Sequence, residues 1–308
     1  MKLTRLAGAV LFPPLLVGCT VTLDSQSQIV KEEKRFSISG RPSVHVTTFD
    51  GSIQIQSWDE PSVLIQIERR GATREAVDAL EVKSSQNGNT IELEVKRPSK
   101  EGFSHLNFQR SATARLIVSL PRRSDVRARS GDGSILIEHV NGRLELHTGD
   151  GSIKATDIAG ELTLNTGDGS VTVRGAEGNL NLDTGDGSVN VIGKLAGVRL
   201  HTGDGSIVYH VEPGTEMTDD WQITTGDGSV ALYLPAEFGA ELDAHTGDGS
   251  ITDDLGIARE NRGTRDRRTV RGRVGEGGRQ LRIRTGDGSI RLRLMVAERV
   301  QQFRDTTR

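Results

Sequence analysis

The chain is poor in the residues that build most catalytic and cofactor sites. One cysteine in 308 residues allows no internal disulfide and no multi-cysteine zinc or iron–sulfur site. Aromatic residues make up 4% of the chain, with two Trp and two Tyr, which argues against the thick core of an ordinary α/β enzyme. No apolar run reaches the ~20 residues that a membrane-spanning helix needs. Neither charge sign dominates. With 39 basic and 42 acidic residues and a formal net charge of −3, a generally basic nucleic-acid binder is excluded. The chain carries no Gly-x-Ser-x-Gly elbow, His-Glu-x-x-His pair or phosphate loop. What it has in excess is glycine: 37 residues, about 12% against a usual ~7%.

The first 35 residues read as an address and an anchor. Lys2 and Arg5 precede a mostly apolar segment, Leu6 to Val17, broken by Pro13-Pro14. That is a secretory signal, too short to span a membrane. It ends Leu16-Val17-Gly18-Cys19, which resembles the bacterial lipobox. The resemblance implies a lipoprotein signal peptide over 1–18, cleavage before Cys19, and attachment of lipid, palmitate included, to that residue. A multiply acylated cysteine anchors stably where a single chain does not. Loss of Lys2 and Arg5 takes the formal charge from −3 to −5. Thr20 rather than Asp follows the cysteine, which by the same resemblance implies the outer membrane over the inner in a two-membrane cell. Residues 19–35 are polar, ending Lys31-Glu32-Glu33-Lys34-Arg35, and are expected to form a tether of at most ~50 Å.

A repeat decides the fold. Asp-Gly-Ser occurs nine times, at Asp50, Asp132, Asp150, Asp168, Asp186, Asp204, Asp227, Asp248 and Asp287. The spacing is 18 residues from Asp132 to Asp204, then 23, 21 and 39. Alignment on Asp brings apolar residues into columns six and four positions before it (Leu144, Leu162, Leu180; Leu146, Leu164, Leu182) and three and five after it (Ile153, Val171, Val189; Ala155, Val173, Val191). Period-two alternation on both sides of a Gly-rich corner predicts two short strands per repeat. One repeat buries about four side chains at ~1.5–3 kcal/mol each, while ordering its backbone costs ~1–2 kcal/mol per residue. A single unit therefore cannot fold, and copies must stack. The expected architecture is an all-β solenoid (β-helix) of ~18-residue coils with like residues in columns ~4.8 Å apart. The glycines flanking each Asp are expected to supply positive φ and close stacking at the corner.

A less regular N-terminal β region with an early rung at Asp50 is expected over 36–128, and the solenoid over 129–294. Strands are predicted at 63–67, 80–84, 91–95 and 115–120, with a hairpin turn at Asn87-Gly88 and a short helix within 72–79. Residues 253–280, with eight arginines, are expected to loop out of the stack, and 295–308 to form a tail or cap. Leu116-Ile117-Val118-Ser119-Leu120-Pro121, the Thr/Ser-Gly-Asp-Gly-Ser rungs and Gly275-Glu276-Gly277-Gly278 together resemble the bacterial β-strand-repeat domains called putative adhesins. The resemblance covers roughly residues 40–294 and implies an adhesin-like domain of unknown function.

Three kinds of site are suggested by the columns. The nine Asp residues have a structural role at the turn; a second reading places Ca²⁺ between rungs at Asp132, Asp150, Asp168, Asp186 and Asp204. No other metal or cofactor is expected. The Thr column (Thr148, Thr166, Thr184, Thr202, Thr225, Thr246, Thr285) shares the parity of the leucines and should point inward, which removes it as an ice-binding array. His147, His201 and His245 lie on the outward parity, as part of a solvated polar face. The functional expectation is a membrane-anchored, non-enzymatic cell-envelope lipoprotein for adhesion, scaffolding or sensing, held through Cys19 and facing an envelope glycan or protein. Two alternatives stand beside it: a β-helix enzyme acting on polysaccharide, and a module whose Arg-rich insertion docks an anionic partner.

Overall fold

The computed structural model describes residues 19–24, 27–97, 112–259 and 267–295. They form twenty-four strands and one short helix, Arg74–Asp78, capped by the Thr73 hydroxyl. One repeat shows the construction. Strand Asn141–Thr148 meets the corner Gly149-Asp150-Gly151-Ser152, strand Ile153–Thr156 leaves it, and a second bend leads into Ala159–Thr166. Leu144, Leu146 and Thr148 point in before the corner, and Ile153 and Ala155 after it. Each strand pairs in parallel with its counterpart 18 residues on, Leu144 opposite Leu162 and Ile153 opposite Val171. The strands before the corner make one wall and those after it another. Strands Val171–Thr184 and Val189–Thr202 run through both, so the walls are one continuous sheet wrapped around a β-solenoid core.

The corner explains the glycines, though not through positive φ. None of the glycines beside the aspartates has a left-handed backbone. Close approach is what requires them. A Cβ on Gly169 would stand 2.0 Å from the Gly151 carbonyl oxygen, and Gly187, Gly205 and Gly228 meet the rung beneath at 2.0–2.1 Å in the same way. The first glycine of each corner continues the ladder: Gly185 N–H donates to Gly167 O and Gly203 N–H to Gly185 O, both at 2.6 Å. The buried threonine closes the corner. Thr184 Oγ1 lies 3.2 Å from Gly167 O and 3.1 Å from Gly169 O, so its proton is shared between two carbonyls that would otherwise be buried and under-satisfied. Thr225 Oγ1 also accepts from Gly228 N–H at 3.2 Å. Left-handed residues occupy the second bend instead: His139, Asp157 and Gly175 have φ of 60°, 50° and 61° on three successive rungs.

The rungs do not stack in chain order. The rung of Asp287 lies between those of Asp227 and Asp248: strand Gln280–Thr285 pairs with Trp221–Thr225 on one side and Ala240–Thr246 on the other. The reason lies in the segment expected to loop out. Residues 269–274 form an antiparallel strand along the outer edge of Ala240–Thr246, burying Val270 and Val274. The glycines at 275, 277 and 278, with φ of 53°, 84° and 139°, then return the chain to the inner edge of the same strand. The insertion is thus part of the C-terminal cap. Its alternation Val270-Arg271-Gly272-Arg273-Val274 suits a strand with one wet face, which a count of arginines hides. Of the tail expected as a cap, only Met295 is described, its N–H bonded to Leu234 O at 2.8 Å; 296–308 lie outside the described residues, as do 1–18.

The N-terminal end is built alike. The Asp50 rung, strands Ser43–Thr48 and Ile53–Trp58, lies between the Asp132 rung and an outer rung made of Thr90–Lys96 and Thr113–Pro121. The hairpin Glu81–Asn87/Thr90–Lys96 turns at Gly88, where φ is 60°. The segment expected as a tether is not a loose chain. Cys19–Asp24 and Ser27–Ser37 form an antiparallel pair, and the second strand pairs from Gln28 to Ser37 with Ser62–Gly71. Val30 and Phe36 are buried there, and the charge run is matched across the strands by Lys31–Glu68 and Gln66–Glu33 contacts at 3.5 and 2.6 Å.

Two substitution pairs test the corner. Gly169→Ala should cost several times more stability than Gly167→Ala, because the first puts a methyl 2.0 Å from a backbone oxygen and the second 2.8 Å. Thr184→Val should cost roughly 1–3 kcal/mol in denaturant unfolding. Thr48→Val should be neutral or stabilising, since the Thr48 hydroxyl, at the end of the column, is buried with no hydrogen-bond partner. Equal losses for the two threonines would refute the role given to the hydroxyl.

Candidate functional site

The structure gathers the sequence-derived columns on different surfaces. Asp132, Asp150, Asp168, Asp186, Asp204, Asp227, Asp248 and Asp287 form an exposed ridge along the corner, and Asp50, half-buried, pairs with Arg97. The hydrogen bonds that close the corner come from the threonine hydroxyls beneath the ridge rather than from these carboxylates. Among the described residues no three His, Cys, Asp or Glu side chains converge on a point that could hold a metal ion. The Thr column is buried throughout, Thr148 and Thr202 at 0% exposure. His147, Asn165, Asp183, His201, Thr224, Arg284 and His245 fall in one outward column, His201 opposite Asp183 and His245 beside Arg284. Cys19 opens the first described strand, opposite Glu32. Two of the four Trp and Tyr residues are inside: Trp221 and Tyr209 pack 5.4 Å apart in the core, and burial pushes the Tyr209 hydroxyl up.

Two arginines of the insertion are engaged with its own cap. Arg271 meets Asp243 at 3.1 Å and Arg273 meets Glu241 at 3.2 Å; Arg284, from the last rung, also bonds Asp243. Burial pushes the Asp243 carboxyl up, but the hydrogen bonds from Arg284 and Arg271 outweigh it and hold the group below its ordinary range. These three arginines balance carboxylates across strands.

A different arginine cluster lies at the other end. Where the Asp132 and Asp150 rungs meet the displaced Asp50 rung, a groove of about 560 Å³ opens on the outer wall. Arg41, Arg127 and Arg143 line it against Asp125, Glu145 and Glu161, with Gly142 and Gly160 leaving room on its floor. Depressions of about 350 and 270 Å³ continue it past His45 to the hairpin and past Arg129 to Asn165. Register places His45, Arg127, Glu145 and Thr163 in one column on four successive rungs. Glu145 is the organising group. Its hydrogen bond to Arg127, 2.7 Å, holds the carboxyl below its usual range, and the charges of Arg143 and Arg129 add to the effect. Sequence alignment alone puts Arg127 above Glu145 in an outward column. The cluster escapes notice there because His45 comes from a rung 82 residues earlier, and nothing in the spacing sets that rung alongside.

With this geometry established, comparison with known proteins gives the family. The Toastrack DUF4097 family model matches residues 43–293. The chain belongs to the Toastrack DUF4097 family. Its members are described as a domain of unknown function, in agreement with the resemblance carried by the corner motif and the Leu116–Pro121 strand. The Toastrack domain is similar to several solved structures. A putative cell adhesion protein from Clostridium sporogenes shares 16% identity over 86% of this chain and 99% of its own, with a TM-score of 0.28. A putative adhesin from Bacteroides fragilis shares 11% over 85% and 96%, with a TM-score of 0.41. A structure from Parabacteroides distasonis described as a putative lipid binding protein shares 13% over 85% and 96%, with a TM-score of 0.33. No functionally curated protein matches the chain.

The Toastrack corner ridge can be tested for cation binding directly. Thermal unfolding in calcium and in chelator is expected to give one midpoint, because the ridge presents one carboxylate per rung and no converging set. A midpoint that rises with calcium would assign the Asp column to the ion.

Proposed function

We propose that this protein is a lipid-anchored, non-enzymatic component of the bacterial cell envelope, whose β-solenoid displays a polar wall for adhesion or scaffolding. The observation that carries the reading is the position of the one cysteine. Cys19 ends the signal-like segment in the sequence, and it begins the strand pair that packs on the N-terminal cap of the stack. Lipid on that residue would hold the solenoid by one end, with no long tether between the membrane and the cap. The regular wall supports a binding role over a catalytic one: inward columns are committed to the core, and outward columns vary rung by rung without disturbing it. Two acyl chains or more on one residue supply the stable attachment that a single chain does not.

The anchor is tested by metabolic labelling with a palmitate analogue, followed by fractionation of a two-membrane bacterial host. The full chain should label and sediment with outer membranes. Cys19→Ser should lose the label and the membrane association together. Thr20→Asp should keep the label and move to the inner membrane. A Cys19→Ser protein that still sediments with membranes would overturn the anchor.

A further inference from the structure

We infer that Asn87, at the tip of the hairpin Glu81–Asn87/Thr90–Lys96, is a site of spontaneous covalent modification, deamidating through a cyclic imide to aspartate and isoaspartate. A glycine that follows Asn or Asp leaves its own nitrogen unshielded by a side chain. That nitrogen attacks the preceding side-chain carbonyl and bonds to its Cγ. From Asn the side-chain nitrogen leaves as ammonia, taking the glycine's proton; from Asp an oxygen leaves as water. Water then opens the ring at either carbonyl, giving the ordinary main chain or one lengthened by a methylene. The sequence holds two Asn-Gly steps, Asn87-Gly88 and Asn141-Gly142, and the nine Asp-Gly steps of the corners. By residue type all eleven are candidates. The fold leaves Asn87 open and restrains the others.

Ring closure requires the backbone to turn until the glycine nitrogen meets Cγ, and the stack resists that turn. A Cβ on Gly151, Gly169, Gly205 or Gly288 would stand 2.0–2.4 Å from a carbonyl oxygen of the adjacent rung, so the chain after each of these aspartates has no room to move. The N–H groups of Gly133, Gly205, Gly228, Gly249 and Gly288 also donate to the Ser130 or Thr hydroxyl of their own corner at 3.0–3.2 Å. Asn141 lies in a parallel ladder opposite Ala159, its N–H bonded to Arg122 O at 2.7 Å, and a Cβ on Gly142 would stand 2.1 Å from Ser124 O. Gly88 differs on each count. Nothing lies within 4 Å of the position its Cβ would take, and it and Asn87 are exposed. Among the described residues strand Glu81–Asn87 is paired on one side alone, and six of its seven residues are exposed, so the tip opens without disturbing a rung. The product carries a new carboxylate and, as isoaspartate, an extra methylene beside the Asn87–Thr90 pair. Strand Thr90–Lys96 keeps its place through Ser43–Thr48, so the change falls on the outer strand of the hairpin.

The purified full chain in detergent is incubated in heavy-oxygen water at mildly alkaline pH, digested in ordinary water and mapped by mass spectrometry. Each ring opening is read as one heavy oxygen retained. In the folded chain the peptide spanning 84–96 should gain label at least about tenfold faster than the peptide holding Asn141. In denaturant the two Asn-Gly steps should label at similar rates, and the corner aspartates, silent in the folded chain, should begin to label. Asn87→Gln should abolish the label in 84–96, which separates Asn87 from Asn89. Equal labelling of Asn87 and Asn141 in the folded chain, a corner aspartate that labels at the same rate folded and unfolded, or label in 84–96 that survives Asn87→Gln would overturn the assignment. None of these outcomes bears on the Cys19 anchor, which fractionation tests separately.

Discussion

The structure depends on how closely one corner backbone rests on the next. A glycine carbonyl lies about where the Cβ of the glycine above would be, 2.0 Å from the ideal position at Gly169, Gly228 and Gly288. That spacing is available only without a side chain, and it repeats at every rung. Close stacking buries carbonyls, and buried carbonyls need donors. From the Asp150 corner onward the threonine before the corner supplies one, and Ser130 does so at Asp132, from inside, where the column of leucines would otherwise continue. Glycine and threonine thus solve one problem together: the first lets the backbones approach, the second satisfies the oxygens that the approach has hidden. Asp, between the two glycines, stands outside this arrangement on the exposed ridge. The parallel register of all the other columns follows once the corner is pinned.

Both ends of the stack use one device to avoid open edges. A parallel solenoid ends in unpaired strands that invite association. Here the outermost rung at either end is not the first or last in sequence. At the C-terminal end the Asp287 rung is inserted beneath the Asp248 rung, and at the N-terminal end the Asp50 rung lies beneath strands Thr90–Lys96 and Thr113–Pro121. The outer rungs are therefore continued by chain on both sides and covered by antiparallel strands, Thr269–Val274 and Ser62–Gly71. Fraying such a rung frees no chain end, which raises the cost of local opening where a solenoid is weakest.

The middle of the molecule was legible in the sequence because its contacts recur at one separation. Leu144, Leu162 and Leu180 fall in register with no assumption beyond the spacing of Asp, and the inward parity of Thr148 follows from that of Leu146. The ends were not legible, since no period relates Asp50 to Asp132 or Asp248 to Asp287. The strand Ser27–Ser37 was hidden by charge: Lys31 to Arg35 reads as solvated chain until Glu68 and Gln66 of a strand far along the sequence are set opposite. Positive φ was expected in the wrong bend, because a glycine pair suggests turn strain as readily as close contact; only the stacking distance separates the two. The arginine groove was half visible. Arg127 over Glu145 can be read from the alignment, but the concave wall beside them comes from the displaced rung.

That last point links the architecture to function. A strictly periodic stack presents flat or ridged walls, since every rung repeats the outline of the one before. Concavity arises where periodicity is broken. In this chain the break that closes the N-terminal edge also brings His45 against the Asp132 rung, with the hairpin Glu81–Lys96 on the far side of His45's strand, and the groove opens at that junction. At the C-terminal break Arg271, Arg273 and Arg284 are matched by Asp243 and Glu241 across packed strands. At the N-terminal break Arg41, Arg127 and Arg143 face Asp125, Glu145 and Glu161 across an open groove. The same topological solution thus gives a closed cap in one case and a concave wall in the other. The difference rests on a few outward residues that the core does not constrain.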